Sequence, residues 1–217
     1  MAILTDPVAA YLADIRPPRT LVMAEMEQLA ERDGVPIVQW ETGRMLAALA
    51  GSLDARVLEV GTAIGYSALH MAEALDKGHI TTLERDPARI AQASDFLERA
   101  GVAQKVEIVE GDARETLPQL EGQFDLLFLD ATKGEYRDYL ELAEPLASER
   151  ALLVVDNLLM SGAVADSQAD THWPEKTVDA GRAFNEALMR SDTWRGAVLP
   201  VGDGVGLASR IAPAPPT

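Results

Sequence analysis

The sequence predicts an α/β protein organised around a doubly wound, mostly parallel sheet, on the strength of three observations. From Arg56 onward, short β-rich runs alternate with helical stretches. Two of those runs, Leu126-Leu127-Phe128-Leu129 and Leu152-Leu153-Val154-Val155, are apolar without a break. Toward the C-terminus the pattern changes to two β-rich segments around Gly202-Asp203-Gly204. Alternating strands and helices build parallel βαβ units. An unbroken apolar strand is one covered on both faces, as in a parallel sheet. The Gly-rich segment reads as a hairpin turn, so an antiparallel pair is expected to close the sheet.

Strands are expected at 56–60, 79–84, 105–110, 124–130 and 151–156, with hairpin arms at 197–201 and 205–211. Helices are expected between and after them, at 67–75, 87–100, 114–120, 136–146 and 176–190. Three more precede the first strand, at 7–15, 19–32 and 41–50; Gly34 and Pro36 end the second and Gly51 stops the third. With no internal repeat and no linker, residues 1–217 read as a single domain. It comprises N-terminal helices over 1–50, a sheet core over 56–211 and a flexible tail over 213–217.

At 217 residues, 47% of them hydrophobic, the chain is long enough for one full-sized core. No run approaches the roughly 20 apolar residues of a membrane helix, so no membrane partner is expected. The first residues lack the basic-then-apolar layout of a secretory leader. The absence of cysteine excludes disulfides and thiolate metal sites and fits a cytoplasmic protein. Net charge is −16 with no basic run, which disfavours a nucleic-acid partner and points to a small molecule. A local patch can outvote that total, so nucleic acid is not excluded.

Ligands of an open parallel sheet bind beyond the carboxyl ends of its strands. The residues at or just past the five predicted ends are Gly61, Glu84, Asp112, Asp130 and Asp156. One such acid is as readily an N-cap for the next helix. Four in series repel one another, and capping alone does not explain them. They call for something cationic or rich in hydrogen-bond donors in the crevice. The first turn, Glu59-Val60-Gly61-Thr62-Ala63-Ile64-Gly65-Tyr66-Ser67, departs from a dinucleotide loop: Ala63 replaces the middle glycine. Glu59 would stand against a pyrophosphate and suits a positive ligand better. Glu84 is placed to accept from a ribose diol. Asp112, with Ala113 behind it, is placed to accept from an exocyclic amine. The crevice thus fits an adenosine carrying a positive appendage; a sulfonium meets that description.

These motifs, with Phe128-Leu129-Asp130-Ala131-x-Lys133, Asp156-Asn157 and Gly202-Asp203-Gly204, resemble the cation-dependent O-methyltransferases. That family includes the catechol and caffeoyl-CoA O-methyltransferases and small bacterial members. The resemblance runs from about Pro36 to Arg210 and keeps the family's motif order. It implies a Rossmann-like class I methyltransferase with a seven-stranded sheet and an antiparallel C-terminal hairpin. It implies S-adenosylmethionine (SAM) against Val38, Glu59, Gly61, Ser67, Glu84, Asp112, Ala113 and Asp130. It implies a divalent cation on Asp130, Asp156 and Asn157, with Lys133 and Asp130 at the reacting centre and Lys133 as general base. It also implies a homodimer.

Asp130, Asp156 and Asn157 offer only oxygen, the preference of Mg²⁺, Ca²⁺ or Mn²⁺, of which Mg²⁺ leads. Plainer readings stand beside these. Asp156-Asn157 also suits an Asx turn, Lys133 a solvated surface, and Tyr66 and His70 packing. The stretch 165–177, with His172 and Trp173, reads equally as a substrate lid or a solvated loop. Two departures bear on the acceptor. Ala131 and Thr132 stand where catechol-methylating enzymes carry bulky gate residues, and Gly206 where they carry an acid. The leading function is therefore methyl transfer from SAM to a hydroxyl of a phenolic or catechol-like molecule. The alternatives are a tRNA hydroxyuridine O-methyltransferase and, from another class, a non-catalytic nucleotide-binding domain or an NAD-dependent enzyme.

Overall fold

A computed structural model describes residues 5–166, 168 and 173–211. The expected tail at 213–217, His172 and most of the middle of the 165–177 stretch lie outside the described residues.

Three helices come first, α1 (Asp6–Asp14), α2 (Leu21–Asp33) and α3 (Trp40–Leu53). The Thr20 hydroxyl accepts from the Met23 amide and caps α2, which Gly34 ends in the left-handed conformation (φ 65°). The alternating part follows: β1 (Arg56–Val60), α4 (Tyr66–Ala74), β2 (His79–Glu84), α5 (Pro87–Arg99), β3 (Val106–Glu110) and α6 (Ala113–Thr116). After it come β4 (Phe124–Leu129), α7 (Tyr136–Ala143), β5 (Ala147–Val155), α8 (Glu175–Met189), β6 (Trp194–Leu199) and β7 (Val205–Arg210).

All seven strands form one sheet in the order β3-β2-β1-β4-β5-β7-β6. The pairs β3–β2, β2–β1, β1–β4 and β4–β5 are parallel, whereas β7 runs antiparallel to both β5 and β6. Chain order reverses between β1 and β4, which is where such a sheet opens a crevice.

The apolar runs explain the layering. Side chains alternate across a strand, and Leu126, Phe128 and Val154 point into one core with Met26, Leu46, Leu69 and Phe96. Their neighbours Leu127, Leu129, Leu153 and Val155 point into the other, with Tyr136, Phe184, Leu188 and Trp194. Both faces are dry along 126–129 and 152–155, so no polar residue interrupts these two runs.

Several predicted boundaries shift. The fifth strand begins at Ala147 rather than 151, because Ala147 already pairs with Phe124 before an irregularity sets Leu126 opposite Leu152. The first hairpin arm begins at Trp194, three residues early, with the buried indole donating to Glu144 (2.8 Å). The helices expected over 114–120 and 136–146 break into 3₁₀ turns at Leu117–Gln119 and Glu144–Leu146, because Pro118 and Pro145 lack the amide that continues an α-helix. His70 is a packing residue, buried edge-to-face against Tyr66 (4.8 Å between ring centres). No helix among the described residues is long and apolar enough to cross a membrane.

Candidate active site

A cleft of about 640 Å³ opens at the carboxyl ends of β1 to β4. Its floor is the turn after β1. Gly61 adopts φ 105°, and a Cβ there would lie 2.1 Å from the Asp130 carbonyl oxygen. Only glycine lets this turn touch the end of β4. Ala63, two residues on, is held in the left-handed region (φ 47°) while its amide donates to Glu84 (2.9 Å). An L-residue is strained there, the kind of cost that folds carry at functional sites.

Glu84 ends β2 and lines the cleft; besides Ala63, its carboxylate accepts from the amides of Arg85 (2.9 Å) and Asp86 (3.0 Å). Asp112 lines the cleft as well, and it also caps α6 by accepting from the Arg114 amide (2.9 Å). The capping and ligand-facing readings of this acid therefore coexist. The Arg114 guanidinium, bonded to the same carboxylate, holds Asp112 down at about 2. Val38, from the segment between α2 and α3, also lines the cleft, as do Ala113 and Tyr66.

Glu59 is the exception: it is wholly buried beneath the turn and is not part of the cleft lining. There it accepts from the hydroxyls of Ser67 and Thr82 (2.6 Å for Thr82), while Thr62 and Thr82 are 2.7 Å apart. Ser67 does line the cleft, so Glu59 reaches it through Ser67. Burial raises the Glu59 carboxyl to about 7 against the two hydroxyl bonds, with Asp130 and Glu84 adding repulsion. A carboxyl raised in the fold contributes stability that is lost as pH rises from 4.5 to about 7. Wild type should therefore lose about 2 kcal/mol relative to Glu59→Gln between roughly pH 5.5 and 8. Urea unfolding of both proteins at the two pH values measures it; an unchanged gap would mean that Glu59 stays ionised in the fold.

At the other end stand the residues expected to carry the chemistry. Asp130 follows β4 directly and lines the cleft, and Lys133, on the 3₁₀ turn Lys133–Glu135, donates to its Oδ1. The Lys133 side chain is only 11% exposed and lies over the Tyr136 ring, which removes the solvated-surface reading. Asp156 follows β5 and is 4% exposed; its Oδ1 is buried with no hydrogen-bond partner among the described residues. Burial first, then repulsion from Asp130, raises its carboxyl well above the usual carboxylate range. Asn157 sits beside it with φ 59°. Among the described residues no three His, Cys, Asp or Glu side chains gather around one point; the carboxylates here are Asp130 and Asp156, with the Asn157 amide next in the chain. A buried, unsatisfied carboxylate oxygen beside a second carboxylate costs free energy until a cation or donor meets it. The residues present fit a hard divalent ion.

The sequence reading missed Arg89, Tyr139, Pro174 and Thr177, which also line the cleft. Arg89, Pro174 and Thr177 carry nothing in their spacing that sets them apart from the solvent-facing sides of α5 and α8, and Tyr139, buried on α7, reads as core.

A family model described as O-methyltransferase matches residues 20–211. The chain belongs to that family. Over 200 residues the enzyme is 36% identical to a catechol O-methyltransferase of Niastella koreensis, covering 86% of this chain and 88% of that protein. Among solved structures, the O-methyltransferase TomG from Streptomyces achromogenes in complex with SAM superposes with a TM-score of 0.82 at 30% identity, covering 94% of this chain and 96% of that one. The O-methyltransferase from Bacillus cereus in complex with S-adenosylhomocysteine (SAH) gives 0.83 at 28% identity, covering 94% and 97%. The enzyme is a SAM-dependent methyltransferase of class I fold.

Proposed function

We propose that this O-methyltransferase moves the SAM methyl group to a hydroxyl of a phenolic or catechol-like small molecule. A divalent cation, Mg²⁺ before Ca²⁺ or Mn²⁺, would be held by Asp130, Asp156 and Asn157. The observation that carries the proposal is the buried, unpartnered Asp156 Oδ1 beside Asp130 and Lys133. SAM would lie along Val38, Gly61, Ser67, Glu84, Asp112 and Ala113, with Glu59 acting through Ser67 and with Asp130 at the methyl end. Bound there, the cation would lower the pKa of a phenolic hydroxyl and fix its orientation.

The chain's own groups do the rest. Lys133 Nζ, in its neutral form, takes the hydroxyl proton. The phenolate oxygen then forms a bond to the methyl carbon as the carbon–sulfur bond breaks, which leaves a neutral thioether. The tight turn at Gly61 and the side chain of Val38 would hold the donor while the Asp130 end fixes the acceptor in line with it, and such positioning supplies much of the acceleration.

Small side chains at Ala131 and Thr132 leave the acceptor end open. The missing acid at Gly206 has a steric reason, since a Cβ there would lie 2.6 Å from Leu158 Cδ1. A hydroxyl in need of a second acidic partner is thus poorly served, and a broad range of phenols is expected. Neither tRNA hydroxyuridine nor NAD is favoured by the similarities. The cysteine-free composition supports a cytoplasmic setting.

The decisive assay follows methyl transfer from SAM to catechols, hydroxycinnamates and flavonoids, with Mg²⁺ or with excess chelator. Transfer that stops in chelator is the expected result. Full activity in chelator would remove the cation, and the absence of any methylated phenol would remove the acceptor class.

A homodimer is part of the same proposal. Val8, Tyr11, Leu12 and Ile15, spaced as one helical stripe, are exposed on and just past α1, which buries none of its residues. A monomeric mass in sedimentation equilibrium would remove it.

A further inference from the structure

The segment after β5 has an improbable backbone. Asn157, Met160, Ser161 and Gly162 all have φ between 46° and 89°, and three of them are not glycine. Conformations of this kind persist only where the surroundings enforce them. Two elements supply the enforcement, the β6–β7 turn and α8. From the turn, the carbonyls of Gly204 and Asp203 accept the amides of Leu158 (2.8 Å) and Leu159 (2.9 Å). The Asp203 carboxylate accepts the Ser161 amide (2.6 Å). From α8, the Asn185 side-chain amide donates to the Leu158 carbonyl (2.8 Å). One turn earlier, the Arg182 guanidinium donates to the carbonyls of Ala163 (2.7 Å) and Val164 (2.9 Å). Gly204 and Gly181 make room, since a Cβ at either would fall within 2.5 Å of Leu159 or Met160. The bonds to Leu158, Leu159 and Ser161 grip the chain one to four residues past Asn157.

We propose that Asp203 and Asn185 are positioning residues for the Asp156–Asn157 oxygens. Neither belongs to the set proposed to hold the cation; each fixes the loop that aims Asn157 and keeps Asp156 Oδ1 free of other partners. The proposal rests on the cation reading of that site. Asp203 supplies an acceptor that asparagine can replace, whereas Asn185 supplies a donor that aspartate cannot. Outer-shell partners of metal ligands are typically worth about 10–100-fold in metal affinity.

The test titrates the full-length protein with Mn²⁺, following free Mn²⁺ by paramagnetic resonance, while calorimetry reports SAH affinity and a thermal scan reports stability. Asp203→Ala and Asn185→Asp should each weaken Mn²⁺ binding about tenfold or more, and SAH affinity should change by less than about threefold. Asp203→Asn, which keeps the acceptor for Ser161, should restore Mn²⁺ affinity to near wild type. Wild type binding Mn²⁺ with both loss variants matching it would overturn the positioning roles and leave the cation reading intact. Parallel loss of Mn²⁺ and SAH affinity, unrescued by Asp203→Asn, would reduce the two residues to general scaffolding and overturn the proposal. Wild type that binds no Mn²⁺ would remove the cation reading, and this inference with it.

Discussion

Asp130→Ala should cut kcat/KM for methyl transfer by about 10³-fold, the scale on which one preorganised electrostatic group acts. SAH should still bind, weakened by less than about tenfold, because the walls at Val38, Glu84 and Asp112 remain. Two functions go together in this variant. Lys133 loses the carboxylate that holds it, and the proposed cation loses a ligand. Asp156 also loses the neighbour that raises its carboxyl by repulsion, which offsets part of the cost of leaving the nearly buried Lys133 without its carboxylate. Without added cation the variant should therefore stay folded and melt only modestly below wild type. Calorimetry with SAH, steady-state kinetics and a thermal scan in chelator separate these effects. Loss of SAH binding and of thermal stability alongside activity would mean that Asp130 holds the fold rather than the chemistry.

Gly61→Ala is the second large effect, and here the damage is to the backbone. The added methyl would lie 2.1 Å from the Asp130 carbonyl oxygen, at a φ of 105° that alanine avoids. Strain at such a φ and overpacking against immobile backbone each cost about 1–3 kcal/mol, so a loss of about 3 kcal/mol or more is expected. The obstructing atom belongs to β4, which pairs on both sides and has no room to retreat. Relief has to come from the turn itself, which would pull Ala63 off Glu84 and open the cofactor end of the cleft. Denaturant unfolding should show the loss of stability, and the folded fraction at low denaturant should bind SAH poorly. Wild-type SAH affinity in this variant would show that the turn moves without consequence.

The strand ends were legible because a strand's position fixes where its last side chain emerges. Glu84, Asp112, Asp130 and Asp156 mark one edge of one sheet in the sequence alone. Alternating faces likewise made β4 and the end of β5 plain. The start of β5 was masked by Ser148, Glu149 and Arg150, polar residues near one end of the strand, where burial does not police composition. The two helix breaks at Pro118 and Pro145 fall inside amphipathic runs, whose periodicity carries across the 3₁₀ turns although the prolines mark them. Within the site, the left-handed Ala63 carries no signature at all, since nothing in the residue type asks for that φ. Arg182 and Asn185 read as the wet side of a helix; only the fold shows that a loop lies across them. The sequence places Glu59 against the ligand; its burial follows instead from its place inside β1 with Thr82 opposite on β2.

That buried acid fixes the direction of every proton around it. With Glu59 ionised, Thr82 has spent its single hydrogen on the carboxylate, so the hydrogen between Thr62 and Thr82 comes from Thr62. Ser67 has spent its own in the same way, and what its oxygen still shows to the cleft is lone pairs alone. A carbonyl or carboxylate lodged there would meet electron density; an ammonium group would meet an acceptor. In that charge state the serine oxygen would favour the ammonium end of an amino acid over its carboxylate, and the preference would fade as pH falls below about 7 and Glu59 takes up its proton.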